Sequence, residues 1–266
     1  MGRTRSTWNT RGVWLAGAAF AAVLALTGYA ALSGGDDAGA DRPGKAGASA
    51  SAAASPGPSA SYAPPADWTE PDRWAALPRG ERSDSRGSQV GFPKSADGAV
   101  AMMAAANAID IEGTRSTEDE QLRIYHSYIA RADQAEQNAE QIELGAIQSD
   151  KDLARQMGVT PGQPLPEGAY MRSTVVGFKI IKQSDGEVSA WLLSRVVQKN
   201  GEMAKESGSY TRTLAGAQWE GGDWKLSAAA TARAQQDVQG EARPAMVAPG
   251  DPSFNSAGWS AIRQAS

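Results

Sequence analysis

With 266 residues, a formal net charge of −4 and a pI near 5.2, the chain has no basic footprint for nucleic acid. Its lack of cysteine excludes disulfides, thiolate metal sites and a lipidated-cysteine anchor, and its single histidine excludes a His-rich metal site. Mean hydropathy is −0.42 despite one long apolar run, so the remainder is distinctly polar, with enough chain left for one domain of ordinary size.

That run, Val13 to Leu32, holds no charged residue. At 1.5 Å rise per residue, about 20 residues match a hydrocarbon core about 30 Å thick. Arg3, Arg5 and Arg11 precede it, and Asp36 and Asp37 are the first charges after it. Basic residues mark the cytoplasmic side, so the spacing predicts a basic tail at 1–12 inside, a spanning helix at 13–32 and everything later outside the membrane. A cleavable secretory signal is the competing reading, with Gly28-Tyr29-Ala30 as a small-x-small site. The length of the run, and Trp14 and Tyr29 near its ends, favour the anchor.

From Ser33 to Ala66 the chain is almost entirely Gly, Ala, Ser, Pro and Asp. Such a segment cannot bury enough surface to offset the entropy of ordering it. It is expected to be a disordered tether spanning roughly 30–35 Å as a loose coil. Residues 67–91 follow as an irregular arm, expected to lay Trp68, Trp74 and Leu77 on the domain or present them to a partner.

The folded domain is expected over 92–230. Ser95 is an N-cap, and Val100, Met103, Asn107 and Ile111 recur at helical spacing up to Gly113. Thr117-Glu118-Asp119-Glu120 reads as a capping box. The helix it opens places Leu122, Tyr125, Ile129 and Ala132 on one face and frays around Gly145. A shorter helix runs from Asp150 to Met157, and the Pro-rich loop after Gly158 breaks the helical pattern. The period then changes to two, with Tyr170, Thr174, Val176, Phe178 and Ile180 alternating. Ser184-Asp185-Gly186, Asn200-Gly201 and Gly221-Gly222 are hairpin turns separating strands at Val188–Gln198, Tyr210–Trp219 and Asp223–Ala228. The fold class expected is therefore α+β, with helices on one face of a curved four-stranded antiparallel meander. The tail 231–266 is polar, but Phe254, Trp259 and Ile262 point to a docking segment at 254–265.

Chemistry is sparse. His126, with Tyr125 and Asp133, could form a proton-transfer cluster, although a lone histidine beside an apolar face is ordinarily structural. Glu118, Asp119 and Glu120 could hold a cation, but first-turn acids already suit the helix dipole. Asp185 and Asp223 need only turn chemistry, and Ser194, Ser207 and Ser209 lack an elbow motif. Hence no catalytic, cofactor-binding or metal residues are assigned and no cofactor is expected. Trp191, Leu193 and Val197 share one strand face interrupted by no polar group of that parity except Arg195, so both faces of this strand require cover, intramolecular or from a second copy.

Helices followed by a curved antiparallel sheet, over Phe92 to Ala230, resemble the cystatin-like α+β roll of the nuclear-transport-factor-2-like superfamily. Gly91–Asn107 ("GFPKSADGAVAMMAAAN") and Trp219–Ser227 ("WEGGDWKLS") carry a likeness to uncharacterised single-pass proteins of high-GC Gram-positive bacteria. The order of anchor, tether and roll is also similar to bitopic assembly subunits of type IV secretion and conjugation machines. That resemblance implies a non-catalytic module binding other envelope proteins. The same roll also hosts isomerases and dehydratases, which leaves a membrane-tethered ligand binder or enzyme, and a secreted soluble domain, as alternatives.

Overall fold

Strand-forming alternation from Ala169 onward supplies the frame of a mixed α+β fold in the computed structural model, which describes residues 67–263. The apolar run 13–32, the basic residues before it and the tether 33–66 lie outside the described residues. Among the described residues, no helix is long and apolar enough to cross a membrane.

The arm contributes β1 (Trp74–Ala75) and a small hairpin of β2 (Arg82–Ser83) and β3 (Gln89–Val90). Trp68 and Trp74 remain 59% and 37% exposed, so neither is laid down in the core. Both indole N–H groups donate to the carboxylate of Glu70, at 3.0 and 2.8 Å.

Ser95 caps α1 (Ala96–Ala106) by accepting from the Gly98 amide. The helix ends at Asn107, short of the expected Gly113. Ile109, Asp110, Ile111 and Glu112 instead form β4, buried and exposed in alternation, because β-branched residues separated by acids fit a sheet edge better than a helix face. The capping box opening α2 (Thr117–Tyr128) is formed by Ser116 and Asp119, one residue earlier than expected. This register buries Gln121, Ile124, Tyr125 and Tyr128 and turns Leu122 toward the surface. Ile129 and Ala132 fall beyond the helix, Ile129 in an isolated bridge to Leu226. The expected break at Gly145 is absent, for α3 runs unbroken over Glu136–Gln156. A mid-helix glycine costs about 1 kcal/mol relative to alanine, and burial of Ile142, Ala146 and Leu153 offsets it.

Strands β5 (Ala169–Gln183), β6 (Glu187–Asn200), β7 (Ser207–Glu220) and β8 (Asp223–Leu226) form the expected meander. The sheet is nevertheless seven-stranded. Its order is β1-β9-β5-β6-β7-β8, where β9 is Ser260–Ile262, and β4 shares the β5 edge with β9. Only Gly221-Gly222 makes a tight two-residue turn, with φ of +62° and +87°. Six residues, 201–206, separate β6 from β7 in place of a turn at Asn200-Gly201.

One sheet face packs against α1 and α2 through Met102, Met103, Ile124, Tyr128, Leu192 and Trp224, all almost fully buried. The opposite face carries Trp191, Leu193 and Tyr210, covered by Phe254, Trp259 and Ala261 from the tail. The ordered fold thus extends past Ala230 through α4 (Ala228–Asp237), α5 (Pro252–Ser256) and β9. Gly216 admits α4 so closely that a Cβ there would lie 2.4 Å from the Ala230 carbonyl carbon.

Phe254→Ala removes a fully buried ring from the second face, and it is expected to destabilise the fold by about 3–5 kcal/mol in urea unfolding. Leu144→Ala, at a position 69% exposed, is expected to stay within about 0.5 kcal/mol of wild type. Equal effects would show that the tail does not seal the sheet.

Candidate binding site

The residues singled out in sequence do not assemble into a reactive centre. Tyr125 donates its hydroxyl to the Ala135 carbonyl at 2.8 Å, and Asp133 accepts from the Ala228 amide at the start of α4. His126 is exposed on α2, its ring edge-on to Tyr125 at 5.2 Å. Partial burial and then the Arg86 charge hold its imidazole below the ordinary value. Ser194 and Ser209 are buried, and the Ser209 hydroxyl has no partner among the described residues.

The three acids of α2 separate. Glu118 is pushed upward by burial and then by Glu143, Asp119 and Asp150. Asp119 belongs to the capping box, and the buried Glu120 pairs with Arg123 at 2.8 Å. Asp150, read in the sequence only as the start of a short helix, reaches across from α3 and accepts from the Thr117 and Glu118 amides at 2.7 and 3.3 Å. No group of three His, Cys, Asp or Glu residues suited to a metal occurs among the described residues. Asp223 does far more than shape a turn. Its buried carboxylate accepts from the Gly91, Phe92 and Trp224 amides at 2.9–3.0 Å, tying the arm to β8.

Cavities indent the surface formed by the described residues. About 540 Å³ lies beside Lys94, Asp185 and Trp224, and about 190 Å³ beside Asp150 and Leu153. A more apolar one of about 460 Å³ lies between the arm and α1, beside Leu77, Phe92 and Ala105. Neither Tyr125 nor His126 lines any of these. More voluminous than these, at about 690 Å³, is an open groove between α2, the β2–β3 turn and the edge where β4 meets β5.

Arginines dominate this groove. Arg123 is saturated: it pairs with Glu120 and donates to Ser88 Oγ and the Ala108 carbonyl, each at 3.0 Å. Arg172 donates to Asp110 Oδ1 at 2.9 Å and also to Glu112, and its guanidinium lies 4.3 Å from the Tyr170 ring centroid. The hydrogen bond it donates to Asp110 raises the Arg172 pKa, desolvation opposes this, and Glu112 adds to the rise. Arg115 only approaches its acids, at 3.9 Å from Asp110 and 3.8 Å from Glu120. Arg86 has no ion pair within 4 Å among the described residues. Beneath the floor, the buried Ser173 hydroxyl has no partner among the described residues. The sequence reading missed this site because its arginines are scattered over 87 positions and share no motif.

No family model, curated protein or solved structure matches this chain.

Asp84 holds the turn that carries Arg86. Its Oδ1 accepts from the Arg86 and Ser88 amides, both at 2.9 Å, and its Oδ2 accepts from Ser127 Oγ at 2.6 Å. Burial works to raise its pKa, but the hydrogen bonds from Ser127, Ser88 and Arg86 outweigh it and the carboxyl lies below its ordinary value. A depressed folded-state pKa stabilises the fold above the unfolded value of about 3.9. That contribution is lost as the pH falls through the lower, folded value. Asp84→Asn is therefore expected to melt below wild type near pH 6, with the gap closing below about pH 4. Thermal unfolding across this range checks it, and a pH-independent gap would contradict the role given to the carboxylate.

Proposed function

We propose that this is a single-pass envelope protein whose extracytoplasmic domain, a cystatin-like roll, acts as a protein-interaction module in an assembly such as a conjugation or secretion machine. The observation that carries this reading is the filled interior of the domain. An enzyme or small-ligand carrier built on such a roll needs a concave cavity between helices and sheet, with a few convergent polar groups. Here that space is occupied by Val100, Met102, Met103, Ile124 and Leu192, each at most 1% exposed. The open groove at the surface is a feature that suits a macromolecular partner better than an enclosed substrate.

Membrane attachment is supported by the uncharged run from Val13 to Leu32 and the arginines before it. The helices-then-meander order supports the roll, with β1, β4 and β9 extending its sheet.

Protease added to intact bacterial cells expressing the full chain is expected to remove the domain carried by residues 67–263. Its survival, while a known external protein is digested, would overturn the topology. Amino-terminal sequencing separates the anchored form from a secreted one, because cleavage would start the mature chain near Ala31.

A further inference from the structure

We propose that the groove at the β4–β5 edge docks an extended acidic segment of a protein partner, gripped by Arg86 and Arg115 and laid along the open edge of β5. The inference deepens the interaction-module reading and rests on it only in taking the partner to be a protein.

Charge is the first argument. Four guanidiniums line the groove, Arg86, Arg115, Arg123 and Arg172, against three carboxylates. Each carboxylate is already engaged by a neighbour: Asp110 by Arg172, Asp119 by Ser116 and Glu120 by Arg123. Arg86 and Arg115 are exposed, and neither side chain makes a hydrogen bond among the described residues. Arg115 stands 3.8–3.9 Å from its acids, so its N–H donors remain available. The charge that the groove offers a visitor is therefore positive, although the chain as a whole carries −4. Planar guanidiniums match carboxylates bidentately, which makes glutamate or aspartate side chains the natural complement.

Backbone geometry is the second argument, and it favours a peptide over a small ion. Pairing of β4 with β5 stops at Ser173, and pairing of β9 with β5 begins at Gly177. Thr174, Val175 and Val176 consequently have no strand partner on that edge among the described residues, and a β-bulge opposite β6 marks the same stretch. Ser173 and Thr174 line the groove. A gap of about 10 Å, three residues at about 3.3 Å each, accepts a short extended segment by β-addition, with side chains fixing its identity. A volume of about 690 Å³ far exceeds what a single bound oxyanion occupies.

The test uses the full chain in detergent and a fluorescein-labelled peptide of alternating glutamate and valine, followed by fluorescence anisotropy. Saturable binding is expected, weakening as salt is raised. The same peptide with lysine for glutamate is expected not to bind. Arg86→Glu combined with Arg115→Glu is expected to weaken binding by about tenfold or more, while Lys205→Glu, a single reversal of charge at an exposed site elsewhere, leaves it unaltered. Should the double variant melt early, Arg86→Ala on its exposed turn supplies the second readout, with weaker binding expected. Absence of saturable binding, equal binding of the lysine peptide, or indifference to both variants would overturn the proposal. So would displacement of the peptide by equimolar inorganic phosphate, which would mark a small-oxyanion site. Equal or tighter binding of a peptide copying residues 33–41 of this chain, which contain Asp36, Asp37 and Asp41, would assign the groove to its own tether and also overturn it. Peptide binding with a protease-resistant domain on cells would sink the topology and leave the groove intact, so the two failures are distinguishable.

Discussion

A strand that is apolar on both faces cannot stop at one layer of cover, and β6 sets that condition for this fold. Leu192 and Val196 face the helices, while Trp191 and Leu193 face the other way, and all four are buried. An isolated helical layer would leave an indole and a leucine in water, at a cost of about 1.5–3 kcal/mol for each large side chain. The tail answers this demand. Phe254 and Trp259 lie on the second face, β9 hydrogen-bonds to β5, and the Trp259 indole donates to the Ala245 carbonyl at 2.8 Å. Arg212 reinforces the seal, its guanidinium 5.5 Å from the Trp191 ring centroid. Gly216 follows from the same condition, because only a residue without Cβ lets α4 close on β7.

Two buried carboxylates then fix the periphery to that frame. Asp223 lies beside the Gly221-Gly222 turn and receives the Gly91 and Phe92 amides, so the arm enters α1 at one defined point. Trp224 repeats the connection through its indole, which donates to the Pro93 carbonyl at 2.9 Å. Hydrogen bonds to a charged acceptor contribute about 1.5–3 kcal/mol each, and Lys225 at 3.3 Å shares the burden of the buried charge. Glu120 plays the corresponding part on α2. Through Arg123 it reaches Ser88 on the arm and Ala108 before β4, joining three segments distant in sequence.

Legibility in the sequence tracked the range of the interactions responsible. The β5–β8 meander and the Ser95 cap depend on local alternation and on turn or cap chemistry, and both are present in the structure. Ile109–Glu112 was mistaken for helix because Ile111 falls at helical spacing from Val100, Met103 and Asn107, and only pairing with β5 reveals the period of two. Ser116 and Thr117 are equivalent caps on paper. The choice is made by Asp150, which takes the Thr117 amide and leaves Ser116 to Asp119. Continuity of α3 through Gly145 likewise depends on a face buried by distant chain. The groove was invisible for the strongest reason: its arginines come from the arm, a loop, a helix and a strand, and only tertiary structure brings them together.

The division among those arginines bears on what evolution could alter without unfolding the domain. Arg123 and Arg172 are bound into the frame, one by a buried partner and the other by two acids of β4 together with the face of Tyr170. Removing Arg123 strands the buried Glu120 carboxylate that the fold has arranged around it. Arg86 and Arg115 stand at the end of a turn and at the entrance of α2, exposed and without hydrogen-bonded acids. Their charges add little to stability, since exposed pairs at such distances contribute about 0–1 kcal/mol. They can therefore be exchanged at small structural cost. A surface that keeps its shape through saturated arginines and offers its charge through unsaturated ones can lose or reverse that charge while leaving the seven-stranded sheet behind it intact.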